Sequence, residues 1–164
     1  MRKLFLALLC IALFAVILSF VATGTLTASG NALPNGDFER GFLFWTQRPE
    51  WRIIPLDGHG AGITRTRGQR ASLCADLTPV TAPVTLSLLY FTRGKGALVL
   101  SLHSDHHRLA ARVLPRSPAP RPLTWSPVLV PGIRPTRLCL TTLARGHFTA
   151  GVDDLAVNPL LPRR

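Results

Sequence analysis

The chain has 164 residues, enough for one domain with a real core but not comfortably for two, so a single domain is expected. It is 47% hydrophobic, carries 14 Pro and 13 Gly and is only 16% charged, which argues against a disordered chain and a helical bundle and favours short strands joined by turns. The formal charge of +11 comes from 19 basic and 8 acidic residues, and apart from Lys3 and Lys95 every basic residue is Arg. Such an excess attracts acidic polymers or an anionic membrane surface, although compositional bias alone produces the same count. The Arg residues are scattered and not interleaved with aromatics, so no specific nucleic-acid interface is expected.

Met1-Arg2-Lys3 precede an uncharged apolar run over residues 4–22, and the small residues of TGTLTASGNA follow. This pattern directs export. The run exceeds the usual signal h-region of about 7–15 residues and approaches the about 20 that span a bilayer, so a cleaved signal peptide and an uncleaved membrane anchor both fit residues 1–32. The leading basic residues leave Met1 inside and place everything after Thr23 outside, secreted or anchored. Residues 33–160 then read as one domain and 161–164 as a tail.

In the stretch LPNGDFERGFLFW, residues 33–45, Asn35-Gly36 supplies a position that tolerates positive φ. Phe38, Phe42, Phe44 and Trp45 offer aromatic area to seat that turn on a core, so an opening turn and first strand are expected here. Further on, EWRIIP precedes the glycine-rich turn DGHGAG, and RASLCADL precedes Thr78-Pro79. PVTLSLLYFT places Leu86, Leu88 and Tyr90 on one face, and RGKG reads as a hairpin-like turn into ALVLSLH. RLAARVL, the Pro-rich linking loop RSPAPRP, LTWSPVLVP, TRLCLTTL and, after ARGH, FTAGVDDLAV complete the series. Eight to ten short strands without helical periodicity predict an all-β antiparallel sandwich or barrel. Cys74 and Cys139 both fall in the exported part, where a disulfide and two buried free thiols are equally compatible with the sequence.

Asn35, Gly36, Phe38, Glu39, Gly41 and Trp45 at one end, with Gly151, Val152, Asp153, Asp154, Leu155 and Val157 at the other, resemble the carbohydrate-binding modules of the galactose-binding-like jelly-roll type. RGQRASLCADL and LTWSPVLVPGIRPTRLCL resemble that family's intervening segments. The resemblance implies a jelly-roll β-sandwich and a structural calcium ion between the first and last strands, with Glu39 and Asp153 as its carboxylate ligands. Alternation in the last strand puts Asp153 on the side of Leu155 and Val157, where a carboxylate must be paired or bind a cation; an Arg or backbone N–H groups would serve as well. Two carboxylates alone do not complete the six to eight oxygens calcium takes.

LHSDHH is the one dense group of metal-ligand side chains; His103, Asp105 and His107 would share a face on an extended strand, whereas a solvated hairpin tip is the plainer reading. Adjacent Asp153 and Asp154 do not flank a glycosidic bond, and the chain has no Gly-x-Ser-x-Gly elbow or phosphate-binding glycine loop, so an enzyme is not expected. Sugar stacking needs exposed aromatic faces, for which Trp51, Tyr90, Phe91 and Trp125 are the candidates, with core packing the alternative for each. The expected function is a non-catalytic carbohydrate-binding-like module of the cell envelope, whose partner is a polysaccharide or envelope glycan, acidic if the charge is used. A structural or protein-interaction module tethered outside the membrane is the alternative.

Overall fold

The computed structural model describes residues 31–46, 49–56, 59–105 and 107–160. Residues 1–30 of the expected leader and the tail at 161–164 lie outside the described residues. Among the described residues eight strands run in chain order: β1 (Trp45–Thr46), β2 (Trp51–Leu56), β3 (His59–Arg67), β4 (Arg70–Asp76), β5 (Val84–Ser104), β6 (His107–Val113), β7 (Arg121–Trp125) and β8 (Arg137–Pro159). Every pairing is antiparallel, as the short, turn-punctuated runs predict.

The two long strands organise the fold. β5 and β8 pair along almost their whole length, Val84 opposite Pro159 at one end and His103 opposite Arg137 at the other. The first half of β5 and the second half of β8 lie in a sheet ordered β2-β3-β8-β5-β7. Their other halves lie in a second sheet ordered β1-β4-β8-β5-β6. Each long strand therefore belongs to both sheets and turns the corner between them. RGKG is thus not a hairpin: Gly94 pairs with Phe148 and Gly96 with Ala144, with a register shift between them, so the chain bends and continues. ARGH is the matching corner of β8. Gly94 has φ 94°, and a Cβ there would overlap the His147 carbonyl oxygen, so only glycine allows this approach.

Inward positions of both sheets meet in one core. Ala71, Leu73 and Ala75 of β4, Leu98, Leu100 and Leu102 of β5 and Leu138 and Leu140 of β8 pack into the same cluster as Leu86, Leu88 and Tyr90 of β5 and Phe148, Ala150 and Val152 of β8. That is the face-to-face packing of a β-sandwich. Two expected strands are absent. Within 32–44 the chain forms successive turns, so β1 is confined to Trp45–Thr46. The run VLV after Trp125 is likewise a loop, with Val128 and Val130 exposed.

Asn35 organises the opening turns. At φ 53° its Nδ2 donates to the carbonyls of Gly41 (2.9 Å) and Leu43 (3.1 Å), its Oδ1 accepts from Arg40 N–H (3.0 Å), and its own carbonyl accepts from Trp45 Nε1 (3.0 Å). Trp45 in turn stacks on Phe38 with ring centroids 4.9 Å apart. The segment then closes on the last strand: Leu155 N–H donates to the Gly36 carbonyl (3.0 Å), and Ala32 N–H to the Val157 carbonyl (2.7 Å). Asn31 Oδ1 accepts from Val157 N–H at 2.8 Å.

Candidate functional site

The expected aromatic sites do not converge. Trp51 is 2% and Tyr90 1% exposed; both point into the core, and the Tyr90 hydroxyl donates to the Pro115 carbonyl at 3.1 Å. Neither ring presents a face for stacking, because each sits at an inward position of its strand. Trp125 is half-buried at the edge strand β7, packed against the core, whereas Phe91 lies on the outer face of the first sheet. No common row joins the four.

Asp153 departs from the alternation that was expected. Val152 is buried in the core, so Asp153 leaves the strand on the opposite face, and β8 regains its inward phase at Leu155. The cause is a bulge: Ser87 and Leu89 of β5 face Ala156 and Asp153 of β8, leaving an extra residue, and Asp154 has φ 47°. Asp153 is nonetheless only 7% exposed, and its Oδ1 accepts from Asp154 N–H at 2.8 Å. Glu39 is exposed, and its Oε1 accepts from Gly60 N–H at 2.9 Å. β3 joins β8 from Gly62, opposite Val152, so both carboxylates fall at this end of the β3–β8 ladder.

The described residues of LHSDHH lie at the tip between β5 and β6, with Ser104 opposite His107; His106 lies outside the described residues. The turn at Asp105, φ 51°, breaks the extended run that would have aligned His103, Asp105 and His107. Among the described residues no three His, Cys, Asp or Glu side chains cluster as a metal site.

A different surface is built as a site. On the outer face of the second sheet, Arg70, Ser72, Cys74, Val99, Ser101, His103, Arg108, Cys139, Thr141 and Leu143 line a groove of about 400 Å³. Each row across it comes from the strand register: Ser72, Thr141 and Val99 form one, Cys74, Cys139 and Ser101 the next, and Asp76, Arg137, His103 and Arg108 a third. Ser101 is 5% exposed although it faces away from the core, and Thr141 and Cys139 are also buried, so the sheet is concave here. Cys74 and Cys139 are directly opposite one another and joined as a disulfide, which settles the alternatives left by the sequence and forms the groove floor. Ser72 Oγ and Thr141 Oγ1 share a hydrogen bond of 3.0 Å across the strands.

The polar groups of this groove are tied to one another. Ser101 Oγ lies 3.0 Å from His103 Nε2, and its hydroxyl is also within 3.4 Å of the Cys139 carbonyl. Which of Ser101 and His103 donates to the other depends on the imidazole tautomer, so the pair can offer a ligand a donor or an acceptor. Burial, and then the charges of Arg108 and Arg137, hold the His103 imidazole below its ordinary value. Arg137 Nε donates to Asp76 Oδ1 at 2.7 Å, which leaves the guanidiniums of Arg70 and Arg108 as the cations facing the groove. Sequence reading missed this site because its residues are the unremarked alternate positions of three strands. The legible signal was a polar Ser72, Ser101, His103 and Thr141 opposite apolar neighbours.

No described protein family and no curated protein matches the sequence. Its fold does match solved structures. TmCBM61, solved in complex with β-1,4-galactotriose, superposes with a TM-score of 0.64 at 12% identity, covering 80% of this chain and 99% of that one. A family 16 carbohydrate-binding module gives 0.59 at 13% identity, covering 77% and 99% respectively. The family 11 module of the cellulosomal cellulase Lic26A-Cel5E of Clostridium thermocellum gives 0.58 at 10% identity, covering 84% and 99%. The chain has the jelly-roll fold of carbohydrate-binding modules, as its two terminal motifs implied.

Proposed function

We propose that this domain is an exported, non-catalytic binding module that takes an acidic glycan in the groove of the second sheet. The observation that carries this reading is the concave floor of Ser72, Ser101 and Thr141 hydroxyls between the guanidiniums of Arg70 and Arg108. Hydroxyls match sugar hydroxyls, and an Arg fork matches a carboxylate or sulfate. The fold shared with modules that bind carbohydrate supports the same ligand class. Isothermal titration with heparin and polygalacturonate, against neutral β-1,4-galactan, tests it. Binding of an acidic polymer that weakens at least tenfold in the Arg70→Ser/Arg108→Ser double variant is expected; unchanged affinity in that variant overturns the assignment to this groove.

One observation favours the second reading, a protein-interaction module tethered outside the membrane: among the described residues no Phe, Tyr or Trp ring lines the groove. The absence of binding to every glycan would leave that reading in front.

Calcium belongs to the proposal at Glu39 and Asp153. The donor type fits, since two carboxylates and the Phe38 carbonyl, which a Cβ on Gly60 would approach to 2.7 Å, are hard oxygens. Bound there, the ion would brace the opening turns against the bulge of β8. Calcium should raise the melting temperature of the wild-type domain but not of Asp153→Asn, and an unchanged melting temperature under chelation would exclude the site.

A further inference from the structure

The Arg-rich composition is not spent on one groove. On the first sheet, the buried positions Trp51, Thr64, Thr66, Phe148, Ala150, Tyr90 and Thr92 face inward, which turns their neighbours out. Strand register then sets two rows on the outer face. Arg52, Ile63, Gly151 and Phe91 form one; Arg65, Thr149 and Arg93 form the next. Arg67 continues the surface opposite His147. Arg65 and Arg93 flank Thr149 two strand spacings apart, about 10 Å.

This face is shaped as well as charged. Pro49, Glu50, Arg52, Ile54, Ile63 and Arg65 line a groove of about 430 Å³. Beside it the Phe91 ring lies against Gly151, where any side chain would overlap it. Arg93 is held above that ring, 5.6 Å from its centroid, and its Nε donates to the Pro118 carbonyl at 2.9 Å. Among the described residues no ion pair engages Arg52, Arg65, Arg67 or Arg93. Among the described residues Glu50 is the one acid lining this groove.

We infer that this outer face is a second binding surface for an anionic polysaccharide, so that one domain joins two polymer segments. The two grooves share no lining residue, and Glu50 stands where they adjoin, on the rim of this one and in a pocket with Arg70 and Ser72 of the other, so a carboxylate opposes one anionic segment running across both. That the ligand is the same in each rests on the proposed function; the second cationic face does not. Bivalence without any covalent change lets a module cross-link chains, and its avidity for long polymers exceeds that of either face alone.

The test is titration of the domain with heparin decasaccharide, together with turbidity on mixing with full-length heparin. Wild type should bind two decasaccharides and turn full-length heparin turbid. Arg52→Ser/Arg65→Ser and Arg70→Ser/Arg108→Ser should each bind one and leave the solution clear, with melting temperatures near wild type because all four side chains are exposed. A wild-type stoichiometry of one that Arg52→Ser/Arg65→Ser does not change would overturn the second surface and keep the proposed groove. Loss of all binding in Arg52→Ser/Arg65→Ser would make this face the sole site and overturn the groove instead. Phosphatidylglycerol vesicles binding this face while the decasaccharide does not would assign it to lipid, against the proposal.

Discussion

At the residue scale, His103 is the side chain whose titration reports on the groove. Its folded pKa lies below the ordinary value of 6.5, because burial and then Arg108 and Arg137 disfavour the imidazolium. The neutral form therefore belongs to the fold. As pH falls below about 6.5 the unfolded chain takes up this proton first, so stability declines on acidification until the folded pKa is passed, after which the decline from this group ends. Denaturation midpoints measured from pH 7.5 to 5 should show that fall, and His103→Gln should flatten part of it. An identical profile in His103→Gln would mean that His103 does not carry the dependence. Asn35 is the contrasting case, because its role was legible: Asn-Gly before a cluster of aromatics announced a turn, and its side chain closes that turn with three hydrogen bonds.

At the element scale, the corners of β5 and β8 decide the architecture. Gly94 brings the chain against the His147 carbonyl in a conformation with φ 94°. Gly94→Ala should cost about 2–4 kcal/mol, since both the left-handed backbone and the close approach are lost. Chemical denaturation would show it, and a change under about 0.5 kcal/mol would mean that the corner relaxes freely. The same corner explains what the sequence left hidden. Period-2 patterning located most of the paired segments and the β-sandwich class, because one face of each strand is buried; it missed β3, whose glycine-rich start HGAG read as a turn although it pairs with β2 and β8. A Gly-rich corner and a Gly-rich hairpin have the same composition, so RGKG and ARGH read as turns between strands rather than bends within them. The side chosen for Asp153 failed for a related reason: a bulge shifts the phase by one residue, and alternation carries no mark of it. Trp51 and Tyr90 illustrate a further limit, since an aromatic in a strand has the same local pattern whether it faces core or ligand. The groove needed the register of β4, β8 and β5 together, which no single segment contains.

At the scale of the whole molecule, the disulfide links β4 to β8 across 65 residues of sequence. Closing a loop of that length removes unfolded-chain entropy worth about 4 kcal/mol in the chain-entropy treatment. Reduction, or the Cys74→Ala/Cys139→Ala pair, should lower the denaturation midpoint accordingly; an unchanged midpoint would show that the ladder alone holds β4 in place. Because this bridge is also the groove floor, the reduced protein should bind the proposed acidic glycan more weakly than its residual stability alone would suggest.

The shared strands have one more consequence, for the order of events during synthesis. Neither sheet is complete until β8 arrives, and the opening segment waits for its partners at Leu155 and Val157 near the other end of the chain. Pairings of such sequence separation form slowly and late. A ribosome-bound chain that lacks β8 has no sandwich to close. The topology that joins two sheets on one core thus also keeps the polypeptide open until β8 emerges.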